Sequence, residues 1–275
     1  MRISGSGKQT YLYLNGIATS RTIRLSENVE LLPAQCEPDP KTIIQMSKSE
    51  IDIGVTAIFL RSVGSQLRVV AKSPKELAIR AWNSLWYGVL LSAFFDCEAE
   101  CNFQCNTPAE GFGRKSRLEI TNYWFRGLNG ETHEITDEES AWLEANFQNA
   151  SELLAKERFM DAANALSSYR WHGQPRARLA ILWAGIEGLF GIDSELAFRL
   201  SLYTARFLEP DDLLARKKVF ADTKRLYKQR SAAVHGAKIK GDAGGSVRES
   251  VDLLQRLLRR CVERGELPDP ESLAP

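Results

Sequence analysis

The residues best suited to chemistry lie near the end of a long basic helix predicted over residues 213–235. At about 100° of rotation per residue, this helix has one inward apolar stripe, formed by Val219, Thr223, Leu226 and Ala233. Arg230 falls within that stripe. Because arginine does not lose its charge by deprotonation, an arginine in the core requires a buried carboxylate or an opening onto a cleft or subunit interface.

Glu187 is the candidate partner of Arg230. It is the only charged residue of the segment 179–192, LAILWAGIEGLFGI. A helix that is apolar nearly all round belongs in the middle of a bundle. We therefore expect Glu187 to be desolvated, which is costly unless a cation or several donors meet it.

His235 follows Arg230 by five positions, about 140° further around the helix axis. Gly236 can end the helix in a left-handed conformation, which places His235 at a C-terminus whose carbonyl dipoles favour a protonated imidazole. An arginine and a titratable histidine at one helix end could bind a phosphate and move a proton beside it. The same residues also fit a structural salt bridge with a histidine that caps the helix.

The surroundings of this pair are basic although the chain is almost neutral, with 36 Lys and Arg against 35 Asp and Glu and a net charge of +1. No global field therefore draws the protein onto nucleic acid or an anionic membrane. Between residues 213 and 240, however, nine basic residues accompany a single acid, Asp222. This stretch is either a solvated helix face or a surface for a polyanion, with Lys224, Lys228 and Lys238 as candidate RNA contacts.

Two segments, WAGIEGLF at 183–190 and YKQRSAAVHG at 227–236, resemble the Apea-like branch of the HEPN families, over roughly residues 135 to 265. The resemblance implies a helical bundle that often dimerises, and in many members a metal-independent ribonuclease with an Arg-x4-6-His motif. Carried over by position, Arg230 and His235 are the motif pair, and Glu187 matches the acidic residue of the preceding helix. Ser231 departs from the pattern, because active ribonucleases commonly have Asn, Asp or His there, and this leaves activity open.

The function implied by the resemblance is that of a metal-independent endoribonuclease, of the kind found among toxins and anti-phage effectors. The ribose 2′-hydroxyl would attack its own 3′-phosphodiester, with His235 as general base or acid and Arg230 stabilising the phosphorane oxygens. No cofactor is expected. The expected partners are RNA, a second copy of the chain that completes the site in a homodimer, and an antitoxin or regulator. The alternative is a non-catalytic module that binds nucleic acid or nucleotides or acts as a scaffold.

The elements that must position these residues indicate an α+β fold in two domains, a β-rich α+β unit over residues 1–130 and a HEPN-like helical bundle over 131–275. In the first domain we predict strands at 11–14, 22–25, 29–32, 51–60, 67–71, 101–105 and 118–125. Asn15-Gly16 suits a tight hairpin turn. A capping box at Ser73 opens a helix that ends near Phe95.

Beyond residue 130 the pattern is helical to the end of the chain. A second capping box at Thr136 opens a helix to about residue 155, and another helix is predicted over 157–169. Further helices begin at Pro175, Asp193 and Asp211 or Asp212, and the last covers 246–264.

Composition limits the class of protein. The 275 residues are 44% hydrophobic and 26% charged, as in a globular chain with its own core. The longest apolar run, residues 86–95, is shorter than the ~20 residues of a membrane span, and residues 1–10 lack a secretory pattern. With five cysteines in no disulfide or zinc spacing, we expect a cytoplasmic protein with reduced thiols, no metal and no membrane contact.

Overall fold

The computed structural model of the chain describes residues 3–124, 131–192, 194, 196–238 and 241–274. It is a mixed fold, 59% helical, with a six-stranded antiparallel sheet in the N-terminal half and helices after it. The prediction of an α+β chain with the strands first is thereby confirmed. The chain divides into two compact units, Met1–Gln148 and Asn149–Pro275. The predicted domain boundary at residue 130 stays a prediction.

The first unit is organised around its sheet, whose strand order is β3-β4-β5-β1-β6-β7. The strands are β1 (Gln9–Asn15), β2 (Ile17–Thr19), β3 (Ile23–Ser26), β4 (Val29–Pro33), β5 (Val63–Val70), β6 (Glu100–Cys105), β7 (Leu118–Ile120) and β8 (His133–Ile135). Central strand β1 pairs antiparallel with β5 and β6, and all its residues after Gln9 are buried. The six-stranded sheet leaves β7 at one edge.

Four helices begin in this unit: α1 (Pro40–Met46), α2 (Glu50–Phe59), α3 (Pro74–Phe95) and α4 (Asp137–Leu153). The predicted N-cap of α3 is confirmed, because Ser73 Oγ accepts from the Glu76 amide at 3.3 Å, but the Glu76 carboxylate accepts at 3.0 Å from Lys72, one residue before the donor that a capping box uses. The predicted capping box at Thr136 has both of its bonds. Thr136 Oγ1 accepts from the Glu139 amide at 3.2 Å, and Glu139 accepts from the Thr136 amide at 2.9 Å.

The predicted strand at 51–60 is wrong, since these residues form α2. Ser49 Oγ accepts from the Asp52 amide at 3.1 Å, and Asp52 accepts in return from the Lys48 amide at 3.1 Å. The helix buries Val55 and Phe59, four residues apart on one face. Capping and the helical spacing of buried side chains outweigh the β-branched composition that suggested a strand.

The predicted hairpin at Asn15-Gly16 is also wrong. Gly16 has a φ of 74°, as a tight turn requires, but the strand that follows it, β2, does not return along β1. Strand β2 pairs in parallel with β8, Ile17 opposite His133 and Thr19 opposite Ile135. Strand β8 likewise corrects the prediction that everything beyond residue 130 is helical. The predicted strand at 118–125 ends at Ile120, and Phe125 lies outside the described residues.

The second unit is helical: α5 (Glu157–Ser168), α6 (Pro175–Phe190), α7 (Leu196–Leu208), α8 (Leu213–Val234), α9 (Ala243–Arg264) and α10 (Pro270–Leu273). Helix α6 contacts α5, α8 and α9, and α7 lies against α8. The starts predicted at Pro175 and at Asp212, which caps α8, are confirmed, whereas Asp193 lies outside the described residues. None of the helices in the described part of the chain is both long and apolar enough for a transmembrane span.

We predict that Gly16→Ala destabilises the first unit by more than about 2 kcal/mol, since a Cβ there would lie 2.1 Å from the Glu98 carbonyl oxygen in a positive-φ conformation. Gly7 also has positive φ, 87°, but an added Cβ would meet no described atom within 4 Å, so Gly7→Ala should cost about 1 kcal/mol. Gly113→Ala, with neither feature, should stay within about 0.5 kcal/mol. Urea denaturation measures all three, and equal destabilisation by the Gly16 and Gly7 variants would contradict the close approach.

Candidate functional site

Helix α6 provides the fixed side of the candidate site. Its Trp183 is fully buried and donates from Nε1 to Ser250 Oγ of α9 at 3.0 Å. The indole also meets the ring of Tyr227 on α8 edge to face, with 5.5 Å between centroids. Helix α8 is therefore held against α6 one turn before Arg230.

The ion pair between Arg230 and Glu187 that the sequence predicts is present. Arg230 Nη2 donates to Glu187 Oε2 at 2.8 Å, and the two side chains are 19% and 17% exposed. The four residues predicted for the inward stripe of α8 are its buried residues, Val219, Thr223, Leu226 and Ala233. The guanidinium carbon of Arg230 also lies 5.6 Å from the centroid of the Tyr227 ring.

The ion pair leaves polar atoms unmatched. Glu187 Oε1 and Arg230 Nε are both buried and have no hydrogen-bond partner among the described residues. Burial raises the pKa of Glu187 above its ordinary value, and the charge of Arg230 opposes the rise only in part. Burial and the nearby Glu187 carboxylate likewise raise the pKa of Tyr227. A pair joined by one hydrogen bond does not fully replace the water that surrounds a solvated Glu187.

His235 ends α8 as its C-cap residue, and its backbone N–H donates to the Ser231 carbonyl at 3.0 Å. Gly236 follows with a φ of 75°. The His235 side chain is exposed, and no hydrogen bond or ion pair joins its ring to any residue in the described ranges. Since it lies about 140° around the helix from Arg230, the two predicted catalytic side chains occupy different faces of α8 within one chain.

Arg176, in the first turn of α6, is a residue of this region that was not predicted from the sequence. Its guanidinium donates to three carbonyls at the C-terminal end of α8, those of Ala232 at 2.9 Å, Ala233 at 2.6 Å and Ala237 at 2.8 Å. The signal was available, because a cation in the first turn opposes the dipole of its own helix and suits the carbonyl end of another. Arg176 therefore fixes the backbone on both sides of His235, and its charge lies at the carbonyls whose dipoles were expected to favour a protonated imidazole.

The solvent face of α8 carries a row of amines that we call the lysine row: Lys217, Lys224 and Lys228. Ser231 and His235 continue it, since positions 217, 224, 228, 231 and 235 lie within about 60° of one another around the helix axis. All three lysines are exposed, and the ion pairs in the described part of the chain include none of them.

Other cations near the lysine row do not belong to it: Lys218 is also exposed, but it lies about 100° around the helix axis from Lys217. Arg225 is paired with Asp222 and Glu249. Lys238, a predicted RNA contact, is exposed in the segment after the helix, and Lys240 lies outside the described residues. Among residues the structure describes, no group of three or more His, Cys, Asp and Glu side chains could hold a metal ion.

Comparisons of this chain with protein-family models, with curated proteins and with solved structures find no significant match. The resemblance to the HEPN families therefore rests on the segments around Glu187 and Arg230 alone, and its functional consequences are proposals.

The pH dependence of stability tests the Glu187 environment. Because burial raises its pKa, the folded chain holds this proton more tightly than the unfolded chain. The resulting stability is present below the ordinary carboxyl pKa and disappears as the pH rises through the raised value. The free energy of unfolding of wild type minus that of Glu187→Gln should therefore fall as the pH rises above the ordinary carboxyl range, from about pH 4 upward. Glu157→Gln, at an exposed side chain of α5, is the reference, and a difference that grows with pH would show that Arg230 dominates.

Arg176→Ala should loosen the C-terminal turn of α8, because three carbonyls lose their donor. We expect local stability to fall by roughly 1 kcal/mol, seen as faster hydrogen exchange over residues 232–238. Arg178→Ala is the matched control, since Arg178 donates to the carbonyls of His172 and Arg170 and not to α8. Equal exchange in both variants would show that Arg176 does not hold this helix end.

Proposed function

We propose that this chain is an RNA-binding protein of HEPN type that cleaves RNA without a metal ion, with α8 as the element that meets the RNA. The single observation that carries the proposal is the lysine row, three exposed amines that form no ion pair with any described residue and lead along one helix face to His235. Phosphates spaced along a strand are the natural partners of such a row. The near-zero net charge of the whole chain does not oppose RNA binding, because the positive charge of the lysine row is local.

In this proposal His235 is the proton-transfer group. Its exposed ring stands at the end of the lysine row, where the phosphodiester of a bound strand would pass, and Ser231 on the same face offers a hydroxyl to a phosphate oxygen. The ribose 2′-hydroxyl attacks its own 3′-phosphodiester, and the P–O5′ bond breaks. His235 accepts the proton of the 2′-hydroxyl or donates one to the leaving 5′-oxygen, with water making the other transfer, and this catalysis contributes ~10²–10⁴ in rate. Products would carry 2′,3′-cyclic phosphate and 5′-hydroxyl ends.

Arg230 enters this chemistry only through a second copy of the chain. Within one chain it faces Glu187 on a different side of α8 from His235. A homodimer whose α8 helices approach about a two-fold axis could bring His235 of one copy to Arg230 of the other. The proposal therefore includes a homodimer with a composite site, where Arg230 stabilises charge on the phosphorane oxygens.

A second candidate is a non-catalytic nucleic-acid-binding or scaffold module, and one observation favours it. Arg230 already has a carboxylate partner at 2.8 Å, and Arg176 and the helix cap account for the backbone around His235. In this case Arg230→Ala should cost about 3 kcal/mol of stability by stranding Glu187, and no variant should change RNA integrity. A cytoplasmic location and an antitoxin or regulator stay predictions under both candidates.

The two candidates differ in the fate of RNA incubated with the protein in EDTA. We expect wild type to cut single-stranded RNA and to leave the equivalent DNA intact, because DNA lacks the 2′-hydroxyl. His235→Ala should abolish cleavage without lowering the melting temperature, and His172→Ala, at another exposed histidine, should keep it. Cleavage retained in His235→Ala, or equal cutting of DNA, would refute the mechanism. If RNA stays intact with the wild-type dimer, the second candidate, the non-catalytic binding module, is favoured.

Binding is measured separately from cleavage with a 2′-O-methyl RNA. The double variant Lys224→Ala, Lys228→Ala should bind more weakly, and the slope of log K against log salt should shrink by roughly 0.7 for each phosphate that the variant no longer neutralises. Arg225→Ala is the control on the same helix, because its guanidinium is neutralised by Asp222 and Glu249. An unchanged slope in the double variant would remove α8 from the interface.

A further inference from the structure

The first unit contains a cavity that the RNA proposal does not use. It measures about 450 Å³ and lies beside edge strand β7, between the chain that follows this strand and the turn joining α1 to α2. This is within the size range of small-ligand sites, ~300–1,000 Å³. Its lining includes the apolar side chains of Met46, Leu118 and Ile120, and also aromatic and charged side chains that we call its rim.

Two aromatic residues on the rim are exposed, and hydrogen bonds hold the hydroxyl of Tyr123 and the backbone of Trp124. Tyr123 is 50% exposed and Trp124 is 51% exposed. The Trp124 amide donates to Asn122 Oδ1 at 3.1 Å, and its carbonyl accepts from Asn102 Nδ2 at 3.4 Å. The Tyr123 hydroxyl donates to Asp52 Oδ1 at 3.1 Å. Large aromatic side chains that are half exposed together beside a cavity are typical of recognition sites.

The charges on the rim are mainly negative. Asp52 accepts from the Tyr123 hydroxyl with one oxygen and from the Lys48 amide at 3.1 Å with the other, so its carboxylate is oriented before any ligand arrives. Glu119 lies 3.8 Å from Lys48 Nζ, and the lysine side chain is 72% exposed. This contact is long and solvated, so a ligand could replace it at little cost. Among the lining residues that the structure describes, the carboxylates of Asp52 and Glu119 and the amine of Lys48 give a net charge of −1.

Aromatic faces beside oriented carboxylates are the combination that binds organic cations. We propose that this cavity binds a guanidinium or substituted ammonium group, with Trp124 and Tyr123 against the cation and Asp52 and Glu119 as its charge partners. A phosphate-bearing ligand would be repelled by the two carboxylates. A neutral base could stack on the rings but would give the carboxylates no charge partner. The proposal is independent of RNA cleavage, since none of these residues belongs to α8.

A second cavity, about 690 Å³, adjoins the first and shares Lys48 and Glu119 with it. It is lined by Ile79 and Trp82 of α3, both about half exposed. A molecule whose cation sits beside Tyr123 and Trp124 could therefore extend over Glu119 onto this apolar surface. The cation can belong to a free small molecule or to an arginine or lysine side chain of an extended peptide, and the experiment separates these sources.

The test is isothermal titration of the full chain with agmatine, with an acetylated Ala-Arg-Ala-Ile amide peptide, and with adenosine. We expect saturable binding of agmatine or the peptide at a Kd of about 1 mM or below, weakened by salt. Tighter binding of the peptide would assign the cation to a polypeptide, and equal binding would assign it to a small molecule. Adenosine binding in place of both cations would overturn the proposal, as would the absence of binding by any probe.

Variants locate the binding. Asp52→Asn keeps an acceptor for the Tyr123 hydroxyl and removes the charge, so affinity for the cation should fall about tenfold, or 1.4 kcal/mol. Trp124→Ala should have a similar effect, while Trp171→Ala, at a 40% exposed tryptophan of the second unit, should have none. Tyr123→Phe keeps the ring and tests the hydroxyl alone. Circular dichroism checks the fold of each variant, and unchanged affinity in folded Asp52→Asn would contradict the site.

Discussion

The burial of one carboxylate on an otherwise apolar helix is the constraint on which the second unit depends. Glu187 lies on α6, and Arg230 of α8 meets it at 2.8 Å. Leaving Glu187 without this cation would cost several kcal/mol, so α8 is fixed in rotation about its own axis. Once Arg230 faces inward, helical geometry places Lys224, Lys228 and His235 outward, in water. The same contact that completes the interior therefore decides what the surface of α8 presents.

Much of this arrangement could be predicted from the sequence, because it depends on local spacing. The single charge among apolar residues marks Glu187, and an arginine at an inward position marks its partner. The helical spacing of apolar residues is enough to predict the buried face of α8. Arg176 was missed because it acts across the unit, on the carbonyls of Ala232, Ala233 and Ala237. Composition alone shows that residues 213–240 are basic. Which of these residues form the lysine row depends on the rotation of α8 about its axis, and the inward position of Arg230 sets that rotation.

The first unit was less predictable, and the reasons are physical. Segment 51–60 is rich in β-branched residues, yet Ser49 and Asp52 cap it as a helix. The turn residues Asn15-Gly16 indicate a change of direction and not the partner of the next strand. Strand β2 pairs with β8, more than a hundred residues away, and no local pattern encodes such a pairing. Tyr123 and Trp124, which follow β7, could not be predicted as a site either, because their carboxylate neighbour Asp52 comes from another part of the chain.

The raised pKa of Glu187 bears on how a buried arginine could serve a phosphate. Burial disfavours the charge of Glu187, so a proton competes with Arg230 for this carboxylate more readily than it would at a solvated site. Among the described residues, one oxygen of Glu187 and the Nε of Arg230 have no hydrogen-bond partner, so their pairing is incomplete. In the proposed homodimer, a phosphate oxygen brought to Arg230 by the lysine row of the second chain would compete with Glu187, and a proton taken up by Glu187 would neutralise the displaced carboxylate. The ion pair that fixes α8 is thus also the pair whose charge balance an approaching phosphate could change.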